Sequence, residues 1–180
     1  MPRINELLIN VLPEIQELEG VDFSAYNTPH LELLKAFKES GRRGLSEFTE
    51  FVGNRALVGR FLISVLQYLL IRYRRFEDES TEIPAFKLFL TLKGWLKEHG
   101  FENDYRKLLH SFTGYIVEIA ERIALKGIGS AYLEEACKLA VEAEETFGEE
   151  YFTMLKERAE KSLNALHEQH AEKEKGEREC

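Results

Sequence analysis

Residues 103–127 read NDYRKLLHSFTGYIVEIAERIALKG, and they decide the fold class. Tyr105, Leu108, Leu109, Phe112, Ile116, Ile119, Ala120 and Ile123 recur at the i, i+3, i+4 spacing that places side chains on one face of an α-helix. Asn103 suits the N-terminal cap, and Gly127 supplies the left-handed stop. A helix of this length with one apolar face requires other helices or a sheet to cover it.

The segments on either side answer with more helices. Downstream, Ser130 opens a pattern in which Leu133, Ala136, Cys137, Ala140, Ala143 and Phe147 face inward until Gly148. Residues 149–170 then present Phe152, Leu155, Ala159, Leu163 and Leu166 on one face. From Ala171 the run AEKEKGEREC holds no large apolar residue, so residues 171–180 read as a disordered charged tail. Upstream, Pro84 begins a helix carrying Phe86, Leu88, Phe89, Leu92, Trp95 and Leu96 that stops at Gly100. Residues 55–76 are apolar nearly all round, with a single polar stripe of Arg60, Ser64, Gln67 and Arg74. Thr28-Pro29 starts a helix over 28–40, and Ile4 to Ile15 form an amphipathic segment interrupted at Pro13. No strand-like alternation occurs. The expectation is an all-α fold, a single-domain bundle of six or seven antiparallel or orthogonal helices over residues 1–170, with a helical-hairpin solenoid as the alternative.

Composition bounds the setting. The chain has 180 residues, 44% of them hydrophobic, which is enough for one core. A net charge of −8 argues against a wholly basic nucleic-acid coat but not against a local basic patch. The longest apolar run, Ala56 to Ile71, carries Arg60 and Gln67 and falls short of the roughly 20 residues a membrane span needs. Two cysteines and the lack of a leader-like opening suggest a reducing cytoplasm and no disulfide framework. Few glutamines beside abundant Glu, Lys and Arg is a bias shared with proteins from hot environments.

Motifs that would name a reaction are missing from the sequence. Carboxylate-bridged metal sites in bundles need Glu three residues before His, and none of the five histidines has it. His167, Glu168 and His170 sit on consecutive turns without further ligands nearby, so they read as a solvated helix end. Cys137, between Ala136 and Ala140, reads as a small core residue rather than a nucleophile. Gly41-Arg42-Arg43-Gly44 lacks the Lys-Ser/Thr ending of a phosphate loop, and Gly127 to Ser130 reads as a helix stop and cap. No cofactor, metal or catalytic residue is expected. Scattered acids such as Glu118 and Glu121 keep an enzyme as the third-ranked reading.

One asymmetry stands out. Residues 41–76 hold Arg42, Arg43, Arg55, Arg60, Arg72, Arg74 and Arg75 against Glu47 and Glu50, so seven minus two gives +5 in a chain of net −8. Arginine forks match phosphates and carboxylates in two-point contacts, and Phe48, Tyr73 and Phe76 interleave with them. These arginines read first as internal cross-links to residues 134–180, which carry 14 Glu and 7 Lys or Arg. As a surface, they would hold nucleic acid or an acidic protein. A helix-turn-helix pivoting on Gly53 fits poorly, because Gly59 stands where an apolar contact is wanted.

Abundant core signal without chemistry therefore points to a non-enzymatic interaction or scaffold module. It would pair with itself or another protein through Phe86, Leu90 and Trp95, which form a second apolar edge. The alternative is an RNA- or DNA-binding protein using the arginines of residues 42–75.

Overall fold

The computed structural model describes residues 55–179. All of the regular structure among them is helical: α1 (Arg55–Phe76), a 3-10 turn (Glu79–Thr81), α2 (Glu82–Glu98), α3 (Glu102–Leu125), α4 (Ala131–Phe147) and α5 (Glu150–Glu179). The helices expected at 4–15 and 28–40 lie outside the described residues. The chain divides between Phe101 and Glu102 into two compact units.

In the first unit, α1 and α2 pack against each other as an antiparallel pair, which the short connection at 77–81 requires. Leu62, Leu66 and Leu69 of α1 and Phe86, Phe89 and Leu92 of α2 are fully enclosed. Burying each such side chain is worth about 1.5–3 kcal/mol. Pro84 falls within the first turn of α2, where its missing N–H costs nothing, and the helix starts two residues before it.

The second unit is three helices side by side, with α4 in contact with both α3 and α5 along most of its length. The side-chain pairs give the directions. The Tyr105 hydroxyl donates to Glu142, joining the start of α3 to the end of α4. Lys156 bonds Glu144 at 2.7 Å across the tight turn between α4 and α5, so those two helices also run antiparallel. Contacts between His110 and Glu149 and between Glu121 and Arg158 then show α3 and α5 running parallel.

Local chemistry explains the turns. Gly148 closes α4 in the left-handed region at φ +61°, and its N–H donates to the Glu144 carbonyl at 2.8 Å. Ser130 precedes α4 as expected, but its hydroxyl donates to the Glu134 carboxylate at 3.0 Å instead of capping a backbone amide. Asn103, expected as a cap, lies inside α3, which begins at Glu102. The alternation of Ile116, Ile119, Ala120 and Ile123 is fully buried, as the spacing predicts. Helix α5 continues past residue 170, where composition predicts a tail, as a helical extension through Glu179 that is exposed over 171–178. Glu and Lys are strong helix formers and alternate there in sign, which favours a helix even without a core to lie on.

Candidate functional site

The 22 residues of α1 contain five arginines and no acidic residue or lysine. Successive residues step by 100° around a helix, so Arg60, Ser64, Gln67, Ile71, Arg74 and Arg75 fall on one side. Arg60, Ile71, Arg74 and Arg75 are exposed, and Ser64 and Gln67 are half-buried at the edge of this strip. The opposite side, with Leu62, Val65, Leu66, Leu69 and Tyr73, is interior. At 1.5 Å per residue, Arg60 and Arg74 are about 21 Å apart along the helix. Arg55 is also exposed, at the helix start and pointing away from the strip. Arg55, Arg60 and Arg75 make no ion pair among the described residues.

Arg72 has a different role. Its Nε and Nη2 donate to Asp78 Oδ2 at 3.2 and 3.0 Å, clamping the end of α1 to the connection that follows. Asp78 Oδ1 accepts from the Ser80 amide at 3.1 Å and from the Ser80 hydroxyl at 2.5 Å, an Asx turn that starts the 3-10 segment. The Ser80 bonds, with the Arg72 guanidinium, hold the Asp78 carboxyl below its ordinary value despite partial burial. The guanidinium also lies over the Phe76 ring, 5.6 Å from its centre.

The interleaved aromatics separate into two kinds. Phe76 is 60% exposed at the end of α1, whereas Tyr73 is 2% exposed and belongs to the core. Phe48, Arg42 and Arg43 lie outside the described residues.

The second apolar edge expected on α2 is placed mostly inside the unit. Phe86 is 1% and Trp95 is 4% exposed, and Leu90 is half-buried. The indole of Trp95 fits against Gly59 of α1 and stacks on His99 and Phe101, at 4.4 and 5.7 Å between ring centres. Gly59 removes the side chain that would otherwise keep α1 away, so a residue that a helical wheel places at the edge becomes interior.

The acidic helices of the second unit find bases of their own. Glu144 is bonded by Lys156, Glu135 by Lys138 at 3.2 Å, and Glu121 by Arg158, whose Nε stands 2.8 Å from Oε1 and whose Nη2 donates to Oε2 at 3.0 Å. Arg72 likewise bonds Asp78 beside it. Each of these pairs joins two residues of the same unit.

Groups considered for catalysis are placed as follows. Cys137 is half-buried, and burial, then Glu160 and Glu134, push its thiol up, which opposes thiolate chemistry. His167 and His170 are exposed on α5, with His167 4.0 Å from Glu134. No group of three or more His, Cys, Asp or Glu that could hold a metal occurs among the described residues. No described helix is long and apolar enough to cross a membrane.

Sequence reasoning missed one further feature. A groove of about 400 Å³ opens where α5 passes the end of α3, lined by Leu125, Leu133, Ala165 and Leu166 among others, with Glu121, His170 and Lys173 at its rim. Leu125 is 88% exposed there, and Ile128 in the adjoining loop is 52% exposed. Periodicity gave no sign of Ile128 because it sits between two glycines outside any helix. No protein-family model, curated protein or solved structure matches this chain.

Proposed function

We propose that this chain is a non-enzymatic helical binding protein that holds nucleic acid by its phosphate backbone on the arginine strip of α1. A single observation carries the reading: Arg60 and Arg75 stand exposed on one side of α1 and outside any ion pair among the described residues, on a helix without one acidic residue. Exposed guanidinium groups on a protein of net charge −8 contribute little to folding stability. Phosphates would bind such groups and release counterions as they do so. The test is light scattering coupled to size-exclusion chromatography, with a mixed pool of RNA and DNA fragments at two salt concentrations. A salt-sensitive gain in mass supports the reading. Elution of protein and nucleic acid as separate species at low salt removes it.

A second reading, a self-associating helical module, draws on Leu125 and Ile128 beside the groove at the end of the second unit. The occupant would be the same end of a second copy, since a two-fold contact needs only one self-complementary patch. The same chromatography, without nucleic acid, tests it. A concentration-dependent dimer that Leu125→Ser with Ile128→Ser converts to monomer supports it, and a strict monomer at high concentration excludes it.

A further inference from the structure

The groove where α5 passes the end of α3 changes from apolar to basic along its length. We propose that it binds a medium-chain fatty acid, with the acyl chain on Ala124, Leu133 and Leu166 and the carboxylate between His170 and Lys173. This site is separate from the arginine strip, and its occupant is a small molecule where the self-association reading places a second copy.

The order of groups along α5 sets the gradient. Ser162, Leu166, Gln169, His170 and Lys173 recur at helical spacing and line one side of the groove. Because α3 and α5 run parallel with Arg158 against Glu121, Glu121 marks the end of the groove nearest residue 158. Its charge is already met there: Arg158 Nε stands 2.8 Å from Oε1, and Nη2 donates to Oε2 at 3.0 Å. About two turns further along α5 lies the apolar part, where Leu133 and Ala124 are buried and Leu166 is half-buried. Beyond it come His170 and Lys173, both exposed and neither in a hydrogen bond or ion pair among the described residues. Lys173 lies about 10 Å past Leu166 along the helix.

The basic end has a second source of positive potential. Helix α4 starts beside it, with Glu134 Oε1 4.0 Å from His167 Nε2. Ser130, the residue before α4, turns its hydroxyl to Glu134, the one acid of the first turn, and caps none of the backbone amides there. A helix start left without a side-chain cap carries about half a positive charge and favours an anion. A carboxylate at this end meets an ammonium group, an imidazole ring and a helix dipole, whereas at the opposite end the guanidinium is engaged.

Size and shape select the rest of the ligand. A recess of about 400 Å³ is in the range of small-ligand sites, which are mainly apolar with a few polar groups that fix orientation. From Ser162 to Lys173 its α5 wall is about 16 Å long, which suits an extended chain with one charged end. Lys173 is the one lysine or arginine among the described residues that line the groove, matching a single carboxylate and not a polyanion.

The experiment is equilibrium dialysis of the full chain against octanoate, decanoate and decanol, each below the concentration at which it self-associates. The variants are His170→Ala with Lys173→Ala, Ala165→Phe within the groove, and the control Lys161→Ala, an exposed lysine that does not line it. Thermal melting of each checks that the fold is kept. Decanoate should saturate at one per chain, and octanoate should bind roughly tenfold more weakly because two fewer methylenes are buried. Decanol should bind more weakly than decanoate. The His170 and Lys173 double variant should bring decanoate down to the level of decanol and leave decanol unchanged. Ala165→Phe should weaken both, and Lys161→Ala neither. Absence of saturable decanoate binding overturns the proposal. Equal affinity for decanoate and decanol, with no response to the double variant, overturns the carboxylate assignment. A dimer that decanoate neither enters nor dissociates, and that Leu125→Ser with Ile128→Ser breaks, would give the groove to the second copy and overturn it as well.

Discussion

Gly59 on α1 lies in contact with the indole of Trp95 on α2, so close that a Cβ at position 59 would stand 3.0 Å from Cζ3 of the ring and 3.3 Å from Cδ2 of Leu96. The ring has nowhere to retreat, since it is buried and stacked on His99 and Phe101. This absent side chain sets how closely the two helices approach.

Gly59→Ala should therefore destabilise the protein. Overpacking a clamped site costs about 1–3 kcal/mol, and the better helix propensity of alanine returns up to about 1 kcal/mol. A net loss of about 1 kcal/mol is expected in urea denaturation. Gly94→Ala is the control. Gly94 is exposed within α2 and a Cβ there meets nothing within 4 Å, so the same substitution should stabilise by about 0.5–1 kcal/mol. Equal effects at the two positions would contradict the close approach of Gly59 to Trp95.

Asp78 gives a pH dependence with a definite sign. Its carboxyl is held below the ordinary value by Ser80 and Arg72, so the folded state binds the proton more weakly than the unfolded chain does. The stability it contributes is then fully present above the unfolded value, near 4, and is lost as pH falls through the lower folded value. Asp78→Asn should cost about 1 kcal/mol at pH 7, an amount reduced by the partial exposure of the pair. The difference between parent and variant should shrink as pH drops below about 4. A difference that stays constant down to pH 2 would show that the Asp78 charge plays no part.

Cys137 should be a slow thiol. Burial and the nearby Glu160 and Glu134 raise its value, so less thiolate is present at neutral pH than in a free cysteine. In a Cys180→Ser background, labelling of Cys137 by a disulfide reagent at pH 7.5 should be slower than labelling of free cysteine. It should accelerate to the free rate only when denaturant is added. Fast labelling of the folded protein would reopen a nucleophilic role.

Much of this architecture was legible because periodicity reports burial directly. The spacing of Leu108, Leu109, Ile116, Ile119 and Ile123 and the glycines at 127 and 148 predict α3 and α4 closely, and the polar stripe of Arg60 and Arg74 is exposed as a helical wheel requires. What periodicity cannot report is a contact between helices that are distant in sequence. Trp95 reads as an edge residue until Gly59 is placed beneath it, and Arg72 reads as one more surface arginine until Asp78 accepts from its Nε and Nη2. The Asp78-x-Ser80 spacing did carry a turn signal, but nothing in the sequence tied it to Arg72. The extension of α5 through Glu179 was missed for a different reason: residues 171–178 bury nothing, so only helix propensity and alternating charge speak for it.

The burial of Phe86 changes how an interface on α2 can be probed. Placing aspartate at Phe86 would not test docking, because the ring is 1% exposed and the charge would enter the core. Phe86→Ala should cost about 3–5 kcal/mol, a large share of the stability of a domain this size, and should lower solubility as well. Leu125→Ser offers the opposite case. Leu125 is 88% exposed, so its replacement should change folding stability by under about 0.5 kcal/mol. Any loss of association in that variant can then be attributed to the surface and not to the fold. Thermal denaturation of both variants, run beside light scattering, separates the two effects. If Phe86→Ala melted with the parent, the helix pair would have to pack differently from the arrangement in which Gly59 and Trp95 meet.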